Sequence, residues 1–190
     1  MSYANIPNVL TVARILAVPL VVLLFYWSNP WSNPAAAVVF IAAALTDTLD
    51  GYLARRYGYM TPLGEFLDPV ADKLMVATAL VLLVGHDTRT FIVITAIVII
   101  GREITVSALR EWMAQLGARA KVAVSGMGKW KTILQMTGLS LMMFRRDVFG
   151  MPVYEIGVWL LVAAAALTLW SMGSYLRAAW PLLQRDGAAD

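Results

Sequence analysis

Residues 45–75 read LTDTLDGYLARRYGYMTPLGEFLDPVADKLM, and they carry four aspartates, Asp47, Asp50, Asp68 and Asp72. The pattern is D-x-x-D-G-x-x-A-R, eight further residues, then G-x-x-x-D-x-x-x-D. On a helix, residues three or four apart share a face, so Asp47 and Asp50 form one pair and Asp68 and Asp72 a second. Asp47 lies eight residues before Arg55 and Asp72 eight after Gly64, a rise of roughly 12 Å in each case. If the two helices are antiparallel neighbours, the pairs meet at similar depth.

The surroundings make those charges expensive. The 190 residues are 60% hydrophobic and 14% charged, with a mean hydropathy of +0.70, a composition that excludes an ordinary soluble domain and marks a membrane protein. Apolar runs at residues 9–27, 35–54, 70–84, 91–109, 133–144 and 156–175 predict six transmembrane helices in an all-α fold. The third and fifth runs fall short of the ~20 residues that cross a bilayer, so residues 62–69 and 126–132 are expected to extend them. Pro181 is expected to end the last helix before a polar tail at about 184–190, and no linker or repeat divides residues 1–190, which read as one domain.

With the N-terminus in the cytoplasm, 12 of the 15 lysines and arginines fall in cytoplasmic connections, leaving Arg89, Arg145 and Arg146 opposite. The positive-inside rule therefore puts both termini and the aspartates on the cytoplasmic face. Polar Asn5, Pro7 and Asn8 precede the first apolar run, so it reads as a retained span and not a cleaved signal. Asn5, Asn8, Thr11 and Arg14 recur on one side of that segment. The chain has no cysteine, which excludes thiolate catalysis and cysteine metal sites. Its ten methionines and seven tryptophans are expected mostly at lipid-facing and interfacial positions.

An aspartate at the centre of a membrane helix costs roughly 2.5–3.5 kcal/mol on insertion scales, so four facing lipid are excluded. Arg55, Lys73 and Arg102 are candidate counterions, but a divalent cation suits the cluster better. All-oxygen ligands without histidine or cysteine favour Mg²⁺, Mn²⁺ or Ca²⁺ over zinc, and carboxylate-held ions beside a phosphate equip a site for displacement at phosphorus. The structural alternative is helix capping, with Asp68 before Pro69 and Thr61 before Pro62. Gly51, Ala54 and Gly64 can serve close helix packing, nucleotide space, or both.

Asp47, Asp50, Gly51, Ala54, Arg55, Gly64, Asp68 and Asp72 match the signature of the CDP-alcohol phosphotransferase family, which the chain resembles. NIPNVLTVARI, FLDPVADKLM, REITVSALREWMAQLG and GKWKT resemble the bacterial branch that makes phosphatidylglycerophosphate. The resemblance implies six helices, a homodimer in the bacterial inner membrane, a cytoplasm-facing polar cavity and two divalent ions, Mg²⁺ or Mn²⁺. It implies that glycerol 3-phosphate attacks CDP-diacylglycerol and CMP leaves. Asp47, Asp50 and Asp68 would then be metal ligands, with Asp72 a further ligand and the general base. Arg55 would hold nucleotide phosphate; Gly51, Ala54 and Gly64 would line the cytidine pocket, with Asn8 and Thr11 beside the nucleotide or hydrogen-bonded within the first helix.

Arg102 and Glu103 interrupt the fourth run, and Arg110 follows Arg102 by eight residues, about two turns. Lys129 and Lys131 open the fifth span from the same side. These four basic residues can converge on an acceptor's phosphate or form a girdle under lipid headgroups; Glu103 is expected to position Arg102. His86 falls in the opposite connection, remote from the aspartates. Other acceptors within the family, namely inositol phosphate, serine or phosphatidylglycerol, share the aspartate motif. A cation transporter is the rival class, disfavoured because the polar residues do not continue across the membrane. Nucleic acid is not an expected partner.

Overall fold

The computed structural model describes residues 6–57, 62–115 and 127–186. They form six helices: α1 (Ile6–Tyr26), α2 (Ser32–Tyr57), α3 (Pro62–His86), α4 (Thr90–Gln115), α5 (Met127–Phe144) and α6 (Val153–Asp186). The two short apolar runs are lengthened as expected, α3 from Pro62 and α5 from Met127. Three segments among the described residues are long and apolar enough to cross a membrane: Val9–Tyr26, Thr90–Ala114 and Val153–Gly173. Of the aspartate-bearing helices, α2 contributes a shorter apolar stretch, Ser32–Thr46, among the described residues, and α3 is not among the three.

One capping alternative and one helix end are corrected. Asp68 is not an N-cap, because α3 starts at Pro62 and runs through Pro69. Pro69 lacks an amide hydrogen and cannot bond the carbonyl of residue 65, but packing carries the helix past it. Thr61 lies outside the described residues. The last helix does not stop at Pro181 but continues to Asp186.

The helices expose many large apolar side chains, as lipid allows, and bury apolar, small and a few polar ones between them. On α1, Val9, Val12, Leu16, Leu20 and Leu23 are exposed, while Thr11, Arg14, Val21 and Phe25 are buried. Lipid tails are as apolar as leucine, so close backbone approach replaces the hydrophobic drive between helices. Ala36, Ala37, Ala79 and Ala164 are accordingly buried to within 1% exposure. The extreme case is the α5–α6 crossing, where a Cβ built on Gly138 would stand 2.8 Å from the Gly157 carbonyl oxygen, and one on Gly157 2.8 Å from that of Gly138. α1 packs on both α2 and α3, and α5 on α2 and α6, so α2 and α3 touch over only a short stretch.

The tryptophans Trp27, Trp31, Trp159 and Trp170 are exposed as expected, but Met75, Met113, Met142 and Met143 are buried. The thioether's flexibility fills gaps inside this bundle, correcting the outward placement read for the methionines.

The end of the bundle opposite Asp68 is tied by charge. Arg89, in the α3–α4 turn, meets Asp87 at 2.7 Å and Glu155 at 2.9 Å, and the Tyr154 hydroxyl donates to Asp87 at 3.0 Å. Arg145 and Arg146, after α5, lie over the rings of Phe25 and Trp31 at 4.1 and 4.6 Å, and Arg146 also donates to the Pro30 carbonyl. Arg145 adopts a left-handed φ of 55° to make this turn. His86 packs edge-on against Tyr154, in this far cluster.

Candidate functional site

The described part of the site begins where α1 crosses α3. The Thr11 hydroxyl donates to Asp68 Oδ1 at 2.5 Å, with Thr11 only 1% exposed. Thr11 is thus turned toward the aspartate helix and not bonded solely within its own; Arg14, one turn on, is buried as well. Asp72 follows Asp68 by one turn and lines a cavity of about 330 Å³ between α3, α4 and α5.

Across that cavity lies a bridged charge cluster. Glu103 accepts from Lys131 at 2.5 Å and from Arg102 at 2.9 Å. Arg102 also donates to Ser171 Oγ on α6 at 3.3 Å, and the Ser171 hydroxyl in turn donates to the Thr168 carbonyl at 2.9 Å. Arg102 and Lys131 are 7% and 5% exposed. Buried charges of this kind survive only when paired, since removing one partner typically costs about 3–5 kcal/mol. Glu103 does position Arg102, as its adjacency suggested, and it also ties α4 to Lys131 of α5.

The sequence candidates are therefore placed as follows. Asp68 and Thr11 meet directly, while Asp72, Glu103 and Lys131 share one cavity. Gly64 is buried in the first turn of α3. Asp47, Asp50, Gly51, Ala54 and Arg55 fall near the C-terminal end of α2, Asn8 on the first turn of α1, Arg110 on α4 and Lys129 on α5; their side chains lie outside the described residues. Among the described residues no three carboxylates or histidines gather around a common point, since half of the aspartate set falls outside that description. Lys73, expected only as a counterion, also lines the cavity, as does Gln135, which the sequence did not mark as a site residue. Gln135 was legible only as a polar residue in an apolar run, four after Lys131; Ser171 had no sequence signal beyond being small.

Two helices thus carry the paired aspartates of the signature, and a bridged cationic cluster stands beside the cavity that Asp72 lines. The family model for CDP-alcohol phosphatidyltransferase matches residues 4–170. The chain belongs to this family of membrane enzymes, whose members generally depend on a divalent metal.

Among its relatives, a Pseudomonas fluorescens protein named CDP-diacylglycerol–glycerol-3-phosphate 3-phosphatidyltransferase is 53% identical over 184 residues, covering 96% of this chain and 94% of the relative. Proteins of the same name from Escherichia coli (strain K12) and Shigella flexneri serotype 5b (strain 8401) are each 49% identical over 175 residues, covering 92% of this chain and 94% of theirs.

Proposed function

We propose that this protein transfers the phosphatidyl group of CDP-diacylglycerol to glycerol 3-phosphate, giving phosphatidylglycerophosphate and CMP. The observation that carries the reading is that Asp72 and the Lys131–Glu103 pair line one cavity. A group able to take a proton and a cation able to hold a phosphate thus face the same space.

In this reading the acceptor's terminal hydroxyl oxygen bonds to the phosphorus joined to diacylglycerol, the bond from that phosphorus to the CMP oxygen breaks, and CMP departs. Asp72 takes the hydroxyl proton and passes it to water. Lys131 and Arg102, with Arg110 and Lys129, hold the acceptor's phosphate. Arg55 holds the donor's phosphates beside the space left by Gly51, Ala54 and Gly64. An apolar groove of about 400 Å³ between α3 and α4, lined by Leu80, Val84 and Ile97, adjoins the cavity through Ile100 and suits an acyl chain.

Asp47, Asp50, Asp68 and Asp72 would hold the divalent ions, two of Mg²⁺ or Mn²⁺. Their all-oxygen donor set fits such ions, and the bond from Thr11 keeps Asp68 oriented as ligand-supporting neighbours do. When bound, the ions supply positive charge to the donor's diphosphate.

The protein is read as a homodimer in the bacterial inner membrane with both termini cytoplasmic. Phe149 is 99% exposed in the α5–α6 turn; a single cysteine there should label only from outside, and one replacing Gly117 only from inside. The reaction itself is tested by CMP release from CDP-diacylglycerol with and without glycerol 3-phosphate. Release that ignores the acceptor, or follows serine or inositol phosphate instead, overturns the assignment.

A further inference from the structure

Gln135 sits on α5 one turn beyond Lys131, a rise of about 6 Å on the same face. It lines the cavity that also contains Asp72 and Lys131, is 5% exposed, and its amide oxygen has no hydrogen-bond partner. A buried polar atom left unpaired costs about 1–3 kcal/mol, so its place beside a reaction cavity points to a ligand that completes it.

We propose that Gln135 is a specificity-determining residue that recognises the middle hydroxyl of the three-carbon acceptor. This rests on the transferase reading above. An amide oxygen only accepts, so its partner must be a donor. The diphosphate and ester carbonyls of CDP-diacylglycerol are acceptors and cannot satisfy it. Its nucleotide does carry amino and hydroxyl donors, but the family resemblance assigns the cytidine to the signature glycines Gly51 and Gly64, on α2 and in the first turn of α3, whereas Gln135 follows the acceptor lysine Lys131 on α5.

In glycerol 3-phosphate one terminal hydroxyl attacks and the other end carries the phosphate. With the phosphate at Lys131 and the attacking oxygen at Asp72, the middle hydroxyl is the donor left for Gln135. The residue therefore reads the acceptor's carbon backbone, where Lys131 reads only its charge.

The test compares glycerol 3-phosphate with 3-hydroxypropyl phosphate, which lacks only that hydroxyl, at saturating CDP-diacylglycerol, in wild type and Q135M. Wild type should favour glycerol 3-phosphate by at least about tenfold in kcat/KM, because a site built around a hydroxyl penalises its absence. In Q135M the preference should shrink to within about threefold, mainly through loss on glycerol 3-phosphate, with KM for CDP-diacylglycerol unchanged. Its Tm should not fall, since the substitution removes an unpaired oxygen at nearly constant volume.

Equal use of the two acceptors by wild type would overturn the proposal, and so would a Q135M variant that keeps the full preference. The wild-type comparison stands even if the variant does not fold. Failure to release CMP with either acceptor is a separate outcome: it removes the transferase reading on which this proposal rests.

Discussion

Thr11 on the first helix and Asp68 on the third are joined by a hydrogen bond of 2.5 Å, donated by the hydroxyl and accepted by the carboxylate. It links the N-terminal helix to the aspartate motif and fixes one of the four carboxylates proposed to hold the metal. Thr11→Val keeps the shape and removes the donor. Loss of such a supporting contact typically weakens metal binding by about 10- to 100-fold, so half-maximal activity should need correspondingly more Mg²⁺ or Mn²⁺. Thr11→Ser should behave as wild type. A metal titration of CMP release reads both, and an unchanged curve for Thr11→Val would leave the contact purely structural.

Chelation should abolish turnover, and added Mg²⁺ or Mn²⁺ should restore it. Asp72→Asn should lose about 10²- to 10⁴-fold in kcat, the usual contribution of a general base, while still binding CDP-diacylglycerol. Equilibrium binding of the donor measured beside single-turnover CMP release separates the two effects. Near-normal turnover in this variant would remove Asp72 as the base.

Lys131→Met should depress kcat/KM for glycerol 3-phosphate by about 10- to 150-fold, the equivalent of a charge-assisted bond of about 1.5–3 kcal/mol. KM for the donor should hold. An acceptor titration at saturating CDP-diacylglycerol decides it, and equal losses for both substrates would point to a collapsed cavity instead.

At the far end, hydrogen bonds from Arg89 hold the Asp87 carboxyl below its usual range. A depressed carboxylate stabilises the fold above its unfolded value, about 3.9, and the contribution is lost as pH falls through the lower folded value. Asp87→Asn should therefore lower Tm at neutral pH, by the equivalent of about 1 kcal/mol. The two melting curves should begin to approach below about pH 4 and meet only below the depressed folded value. Activity at permissive temperature should not change, because the cluster touches no residue of the cavity.

Gly138→Ala should destabilise the protein by about 1–3 kcal/mol, the usual range for overpacking, because the new methyl meets backbone and not a yielding side chain. Gly173→Ala, where nothing lies within 4 Å, is the control. Equal thermal stability of the two variants would contradict the close crossing.

The six helices were legible because lipid forces apolar periods of helical length, and the aspartates because charge in such a setting has few explanations. What could not be read was pairing across elements. Nothing in the sequence joins Thr11 to Asp68, or Glu103 to a lysine 28 positions later. Asp68 before Pro69 resembled a helix start because that dipeptide is locally ambiguous; only the packing that carries α3 through the proline resolves it. Lipid-facing and buried methionines likewise look alike in one dimension, since both sides of the contact are apolar.

The closeness of Gly138 and Gly157 makes the α5–α6 crossing a fulcrum. Lys131 lies seven residues from it along one arm and Ser171 fourteen along the other, about 10 and 21 Å. A tilt of about 5° at the pivot would carry the longer arm's tip by about 2 Å by the same rise, enough to part Ser171 from Arg102. The register of the cationic cluster is thus geared to two residues without side chains, and enlarging either should surface in kinetics as a fault in the proposed acceptor site.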